Sequence, residues 1–282
     1  DSWGPQLEQY LYNGIAALAE LDDGTLLGLK FLINSEKYRD YVLDRVKDKI
    51  IKDFWQTDFE EVMPDREQRQ TTLSTLNKIG KLISDPKIRN IIGQPKSTID
   101  LNDIMDNQKC LLIKIPHGKL GVDKANLIGA LMMSQLHLAA LSRDTRKDFH
   151  IYADEFHNYG VSPEMLSGVR KFGVSLTLAH QYIDQLSPQL QSAVVGTVGT
   201  IVAFQLGIKD AEVIAKEMEL APRDLVQLKP YKAWVKSTTI DELYEPDTDF
   251  PVYEKTHRIV KDRLHSEYGY GRKRWKVESE KS

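Results

Sequence analysis

The sequence predicts an α/β protein whose C-terminal portion contains a mostly parallel sheet, preceded by a helical segment. Before Pro95, apolar residues recur at spacings of three and four, which is typical of amphipathic helices. After Pro95, short apolar runs alternate with helical patterns, as in parallel sheets with crossover helices. We therefore expect a helical bundle over residues 1–95, an α/β core over 96–250, and a basic helix and tail over 251–282.

The N-terminal segment contains a series of predicted helices. The first has an apolar face formed by Leu7, Tyr10, Leu11, Ile15 and Leu18. Turn and capping residues at Asp22–Thr25 and Asn34–Glu36 bound the next elements. Proline residues interrupt the later pattern. The predicted helical ranges after the first are 26–32, 36–46, 48–60 and 66–83.

The core should alternate strands and helices. Cys110 is the only cysteine of the chain, which excludes an internal disulfide and suits a reducing compartment. Its apolar neighbours indicate a buried strand position. Predicted strands cover 110–115, 149–153, 174–179, 199–206 and a terminal strand at 231–237 that is antiparallel or at the edge. Predicted helices cover 124–141, 163–171 and 209–218.

The composition indicates an ordinary soluble chain. It has 282 residues, 41% hydrophobic and 28% charged, with a formal net charge of −3. No run approaches the roughly 20 uninterrupted apolar residues of a membrane span, so we expect none in this segment and a cytoplasmic location. Because the first residue is Asp1 and not Met, we expect a partial chain, with further sequence upstream that could reach the inner face of a membrane.

Two adjacent carboxylates follow the strand predicted at 149–153. Asp154 and Glu155 lie at its carboxyl end, where open α/β sheets bind their ligands. In a P-loop ATPase, the first acid of such a pair holds the water shell of Mg²⁺, and the second orients or deprotonates the attacking water. The alternative is a structural pair that caps a helix or binds an arginine.

Gln181 follows the next predicted strand in the same way. Because adjacent parallel strands end at one edge, we expect Gln181 to lie near Glu155. There its amide could hydrogen-bond a γ-phosphate or the attacking water. The alternative is a solvated glutamine.

The phosphate-binding half of such a site is absent from this sequence. The pattern G-x-x-x-x-G-K-[ST], whose amides and lysine hold phosphates, does not occur. Both Gly-Lys pairs, Gly80-Lys81 and Gly118-Lys119, are followed by leucine. The chain therefore contains half of an ATPase site, and any P-loop would lie upstream.

Two other interpretations of the acidic segment are weaker. Asp154-Glu-Phe-His157 also fits the DExH box of a superfamily 2 helicase, but the other motifs of that class do not follow. A metal site formed by His150, Asp154, Glu155 and His157 is disfavoured because alternate strand residues face opposite sides of a sheet.

Four segments together carry a family resemblance. They are Tyr-Ala-Asp-Glu-Phe-His-Asn at 152–158, Gly-Val-Arg-Lys-Phe-Gly at 168–173, Leu-Thr-Leu-Ala-His-Gln-Tyr at 176–182 and Val-Gly-Thr-Ile-Val at 198–202. In this order and spacing they resemble the conjugative coupling ATPases of type IV secretion, in the HerA/FtsK group. Residues 90–97 and 118–121 are also similar to family segments.

The resemblance implies a fold and a set of site residues. It implies a RecA-like P-loop NTPase core with a helical insertion, which binds ATP and Mg²⁺ and works as a homo-hexamer that pumps DNA. Asp154 and Glu155 match the Walker B pair, with Asp154 holding Mg²⁺ indirectly, and Gln181 matches the polar residue after the next strand. Arg170 matches an arginine that reaches a neighbouring subunit's nucleotide; the alternative is a surface arginine that caps its helix.

The resemblance also indicates what this chain lacks. Family members carry the Walker A strand, normally central in the sheet, before the helical insertion. Without it, either two strands keep unpaired edges or the remaining strands pair with each other in a smaller sheet. In both cases we expect a chain that alone neither binds ATP tightly nor hydrolyses it.

The C-terminal tail is the predicted nucleic-acid contact. Arg272, Lys273 and Arg274 lie among tyrosine and tryptophan residues, a mixture that can bind phosphates and stack bases. The alternative is a solvated tail. Secretion or DNA-processing proteins are further expected partners, and two functions stay open beside the DNA motor: a non-catalytic RecA-like interaction module and an ATPase that moves protein.

Overall fold

A computed structural model of the protein describes residues 4–62, 76–77, 80, 83–238, 240–244 and 246. Within this part the chain divides into two compact units, one up to Ile99 and one from Asp100 onward. Most of the helix predicted at 66–83 lies outside the described residues. So does the predicted tail at 251–282, with Arg272, Lys273 and Arg274.

The first unit is helical, and capping residues start several of its helices. Ser35, Asp48 and Asp85 each accept a hydrogen bond from a backbone N–H of the first turn that follows. Pro86 occupies the first turn after Asp85, where its missing N–H costs nothing. The described elements are α1 Pro5–Ala19, α2 Gly28–Asn34, α3 Glu36–Leu43, α4 Lys49–Asp53, a π-helix Phe54–Val62 and α5 Pro86–Ile92.

An aromatic cluster forms the core of this unit. Trp55 is fully buried, and its ring nitrogen donates a 3.3 Å hydrogen bond to the carbonyl of Asn13. Tyr10, Phe54 and Phe59 pack around Trp55 with ring centroids 4.9–6.2 Å apart. These residues lie on α1 and on the π-helix, so the helix predicted at 48–60 is present but changes its winding at Phe54, where the aromatic residues pack.

The second unit contains all five described strands. Its helices are α6 Leu101–Asp106, α7 His117–Leu120, α8 Val122–Ser142, α9 Pro163–Gly168, α10 Pro188–Thr197, α11 Ile208–Met218 and α12 Pro222–Val226. Short 3₁₀ helices cover Phe156–Asn158, Val169–Phe172 and Ile183–Gln185. The strands are β1 Phe149–Ala153, β2 Val174–Leu178, β3 Thr200–Ala203, β4 Trp234–Ser237 and β5 Ile240–Tyr244.

The five strands form two sheets instead of the single, mostly parallel sheet that the sequence predicts. β1 and β2 pair in parallel, from Phe149 opposite Val174 to Ala153 opposite Leu178. The remaining strands form an antiparallel sheet in the order β3-β4-β5. The fourth predicted strand, β3, therefore pairs with β4 and not with β2; β4 is antiparallel, as one of the two predicted options had it, but it lies at the centre of this sheet and not at an edge. The described residues supply no strand between β2 and β3, so each has a partner on one side only.

The parallel pair is covered on one face. Ile151 and Ala153 are buried in a core with residues of α8, α9 and α10. On the opposite face His150 is exposed and Tyr152 is 76% exposed. Among the described residues no element covers this second face, although strands of a parallel sheet are usually buried on both faces.

The strand predicted at 110–115 is also wrong. No regular structure is assigned there, Cys110 is exposed, and Leu112 is 71% exposed. An extended segment needs a neighbouring strand to bind its backbone groups. Within the described residues β1 pairs with β2 alone, so the segment has no strand partner.

One described helix, α8, is long and apolar enough to cross a membrane by length and composition. The same helix supplies Met133, Leu136 and Ala140 to the core beneath β1. Its apolar character therefore has an explanation within this unit.

Candidate functional site

The carboxylates after β1 lie in a tight turn. Asp154 is exposed, and Glu155 is half-buried with a backbone φ of 53° and ψ of 41°. This left-handed conformation costs a residue other than glycine about 1 kcal/mol. It ends the strand abruptly and leads into the 3₁₀ helix Phe156–Asn158. Residues held in this region are often found at functional sites.

The chain after β2 brings Gln181 to Glu155, as the sequence predicts. The amide of Ala179 donates to the carbonyl of Ala153 at 3.0 Å, which extends the parallel ladder past both strands. The amide of Phe156 donates to the carbonyl of Ala179 at 3.2 Å. Two residues further on, Gln181 Nε2 donates to Glu155 Oε1 at 2.6 Å.

A histidine touches the other oxygen of Glu155. His157 Nδ1 lies 3.5 Å from Glu155 Oε2, and its side chain is 13% exposed. The contact is too long or poorly aligned to be a hydrogen bond, and Nδ1 makes none among the described atoms. Glu155 therefore accepts a hydrogen bond from an amide and lies near an imidazole. The sequence draws attention to His157 only through the two weaker interpretations, the DExH box and the metal site.

His180 lies beside this pair. Its ring meets that of Phe156 edge-on, with centroids 5.2 Å apart. Burial lowers the pKa of His180 below 6.5, and the nearby His157 lowers it further, while the charges of Asp210 and Glu155 oppose the shift. His180 is consequently neutral at pH 7.

Tyr159 packs the acidic turn against α8. A Cβ added at Gly129 of α8 would lie 2.2 Å from Tyr159 Cδ1, so only glycine leaves room for the ring. Burial raises the pKa of the Tyr159 phenol, and the charges of Asp154 and Glu155 raise it further. The phenol therefore stays protonated near the carboxylates. The spacing of apolar residues in the sequence gives no reason to assign Tyr159 to the site.

Arg170 lies at the other end of the parallel pair. It belongs to the 3₁₀ helix Val169–Phe172, which leads into the amino end of β2, and it is exposed. Gln181 lies beyond the carboxyl end of that strand, and five residues of strand span about 16 Å. Arg170 is therefore not part of the cluster formed within one chain.

Asp210 is a site residue that the sequence analysis missed. It lies in the first turn of α11, is 8% exposed, and accepts a 3.1 Å hydrogen bond from the amide of Ile183 through Oδ1. An acidic residue in a first helical turn is common because it favours the helix dipole. No signal in the sequence separates this buried aspartate from a solvated one.

The cluster fits one part of a Mg²⁺–ATP site. Asp154 and Glu155 offer carboxylate oxygens at an open strand end, which suits an ion that keeps several of its waters. Among the described residues no group of three or more His, Cys, Asp or Glu side chains is placed to hold a metal directly. The sequence has no G-x-x-x-x-G-K-[ST] loop for phosphates. The residues present therefore fit the hydrated metal and not the phosphate chain.

Comparison with protein-family models and with curated protein sequences gives no match. Comparison with solved structures finds the bacterial conjugative coupling protein TrwB, in a form named TrwBdeltaN70, at a TM-score of 0.65 and 11% identity over 89% of this chain. The chain has the fold of a conjugative coupling protein. It spans 65% of that TrwB chain.

Two further TrwB structures match this chain to a similar extent. TrwB in complex with ADP and Mg²⁺ matches at a TM-score of 0.64 and 11% identity, over 88% of this chain and 63% of TrwB. TrwB with the GTP analogue GDPNP matches at 0.63 and 11% identity, over 89% and 66%. The coupling-protein fold confirms the resemblance seen in the sequence. About a third of each TrwB chain has no counterpart in this one.

Proposed function

We propose that this chain is the C-terminal part of an ATP-driven, DNA-translocating motor with a RecA-like P-loop NTPase core. The observation that carries the proposal is the 2.6 Å hydrogen bond between Gln181 and Glu155 at the carboxyl ends of two paired parallel strands. It joins the carboxylate pair and the amide at the sheet edge where α/β proteins bind ligands. The coupling-protein fold supports the same assignment.

Each residue has a distinct proposed role. Bound ATP with Mg²⁺ supplies the phosphoanhydride bond that is hydrolysed. Asp154, exposed at the strand end, holds the waters of the metal ion. Glu155 orients the attacking water and accepts its proton. Gln181 donates its amide to Glu155, and in the proposed cycle it exchanges this partner for the water or a phosphate oxygen.

The rest of the site comes from outside this chain in the proposal. We assign the phosphate-binding loop to a part of the motor that this chain does not contain, since about a third of TrwB has no counterpart here. A strand leading to that loop would pair with the free edges of β2 and β3. Arg170, remote from the carboxylates of its own chain, serves a neighbouring subunit of a homo-hexamer.

DNA is the proposed cargo. The basic tail residues Arg272, Lys273 and Arg274 remain predicted DNA contacts, with secretion or DNA-processing proteins as further partners and the cytoplasm as the location. Their contribution should depend strongly on salt concentration, because phosphate contacts release counterions.

The test is ATP hydrolysis by the protein with its natural flanking sequence, with and without DNA. Glu155→Gln removes the proton acceptor but keeps the size of the side chain. We expect DNA-stimulated hydrolysis in the wild type and a loss of 10²-fold or more in kcat in the variant, on the order of a lost general base.

The matched control is Glu212→Gln, which changes an exposed glutamate on α11 in the same way. It should leave hydrolysis unchanged. Hydrolysis without any response to DNA would favour a protein cargo. No hydrolysis at all would favour a non-catalytic RecA-like interaction module, and equal rates for wild type and Glu155→Gln would show that Glu155 does not act as the base. Either result would contradict the proposal.

A further inference from the structure

We propose that Asp210 is a positioning residue, which holds the Gln181 amide against Glu155 by fixing the loop that carries Gln181. The inference rests on the proposed function, since it concerns how the carboxylate of that site is held. Asp210 acts from α11, an element that follows β3 and belongs to neither strand of the parallel pair.

The Gln181 loop has two anchors. At its start, Ala179 is fixed by backbone hydrogen bonds to Ala153 and Phe156. At its end, the amide of Ile183 donates to Asp210 Oδ1 at 3.1 Å, and the carbonyl of Ile183 accepts a 3.0 Å hydrogen bond from Gln191 Nε2. Gln181 lies midway between these anchors. A shift at Asp210 therefore moves Gln181 relative to Glu155, because the other end of the loop is tied to β1.

The burial of Asp210 argues against the alternative that this residue is only a solvated acid in the first turn of a helix. Its residue is 8% exposed, whereas Glu164, which occupies the first turn of α9, is exposed. Removing a carboxylate from water is unfavourable unless it is hydrogen-bonded. The Ile183 amide and the dipole of α11 supply that compensation. The bond at Ile183 is therefore the contact that makes a carboxylate acceptable at this position.

An electrostatic interaction also links Asp210 to the same cluster. The charges of Asp210 and Glu155 both act on His180, the residue that precedes Gln181, and His157 acts on it with the opposite effect. His180 also packs against Phe156, next to Glu155 in the chain. Asp210 thus acts on the chain on both sides of Gln181, on the charge of His180 before it and on the Ile183 amide two residues after it. A displacement of α11 would be transmitted to the hydrogen bond at Glu155.

The test is hydrogen exchange measured by mass spectrometry on the protein with its natural flanking sequence. Asp210→Ala removes the acceptor for the Ile183 amide, while Asp210→Asn keeps an acceptor oxygen and removes the charge. We expect Asp210→Ala to raise exchange at Ile183 about tenfold, as for a lost hydrogen bond to a charged group. Exchange should also rise in residues 154–160, and Asp210→Asn should restore most of the protection in both segments.

The Gln181→Ala background makes the test specific. If Asp210 acts through Gln181, then Asp210→Ala should add nothing to exchange in residues 154–160 once Gln181 is alanine. An effect that persists in that background would overturn the proposal, as would faster exchange confined to Ile183. Asp144→Ala, at an exposed site of the same unit, is the control and should change neither segment.

A global loss of structure in Asp210→Ala would appear as faster exchange throughout α8. Ile183→Pro then serves instead, because it removes the donor at the first residue of a 3₁₀ helix, where proline is tolerated. It should reproduce the faster exchange in residues 154–160; unchanged exchange there would overturn the proposal. Exchange does not depend on ATP hydrolysis, so an inactive wild type would contradict the proposed function and leave this test intact.

Discussion

His180 lies half-buried among two carboxylates and a second histidine, and this makes its response to pH a property of the fold. Its pKa in the folded protein lies below 6.5, chiefly because burial disfavours the charged ring. The unfolded chain takes up a proton near pH 6.5, whereas the folded chain does so only at lower pH. The folded state therefore loses stability as pH falls below 6.5.

Replacing His180 with glutamine should remove this contribution. We expect the urea midpoint of the wild type to fall between pH 7.5 and pH 5.5 by more than that of His180→Gln. The measurement is urea unfolding of both proteins at the two pH values. An equal fall in the two proteins would show that His180 is not the group responsible.

The individual site residues differ in how far the sequence reveals them. Asp154, Glu155 and Gln181 could be identified because each follows an apolar strand, and parallel strands bring such positions together. The residues that surround them, such as Asp210 and Tyr159, could not be identified from the sequence. Asp210 reaches Ile183 across 27 positions of sequence, and its burial depends on the packing of α11. The Tyr159 ring fits against α8 only because Gly129 has no side chain, and the sequence does not show that these two residues meet.

At the scale of elements, the contact between α8 and the acidic turn is the most demanding sterically. Gly129→Ala places a methyl group 2.2 Å from Tyr159 Cδ1, so the ring must move away. We expect a loss of about 1–3 kcal/mol in the free energy of unfolding, the usual cost of overpacking a core. Thermal or urea unfolding measures this loss.

Gly196→Ala is the matched control. Gly196 lies in α10, is exposed, and would meet no atom within 4 Å after the substitution. Alanine there should raise stability by about 0.5 kcal/mol, because it restricts the unfolded chain. Opposite signs for the two variants are the expected result. Destabilisation by both would point to a general intolerance of helix substitutions instead of a contact with Tyr159.

Helices and strands were predictable where local signals decide them. The helix predicted at 124–141 is observed at Val122–Ser142, and the strand predicted at 149–153 is observed at Phe149–Ala153. Both have apolar patterns that tertiary packing reinforces. The helix predicted at 36–46 ends early, at Leu43, where no strong stop signal appears in the sequence.

At the scale of the whole molecule, sheet assembly was the least predictable feature. Strand existence is local, but pairing depends on which other strands are available. β3 pairs with β4, an antiparallel strand that follows later in the chain. The segment 110–115 is also apolar, but no described strand pairs with it. The sequence did predict unpaired edges as one of two outcomes of the missing Walker A strand. It did not predict that the sheet would separate into two.

The exposed position of Cys110 gives the protein a built-in chemical reporter. It is the only thiol in 282 residues and lies in the segment that lacks a strand partner. We expect Ellman's reagent to modify it in the folded 282-residue chain about as fast as in urea, because access limits thiol reactivity. In the protein with its natural flanking sequence, slower labelling would show that 110–115 becomes covered once the fold is complete. Slow labelling of the 282-residue chain itself would contradict the exposure of this segment. A fluorophore attached to Cys110 could then report, through its emission wavelength and anisotropy, when the segment 110–115 becomes covered.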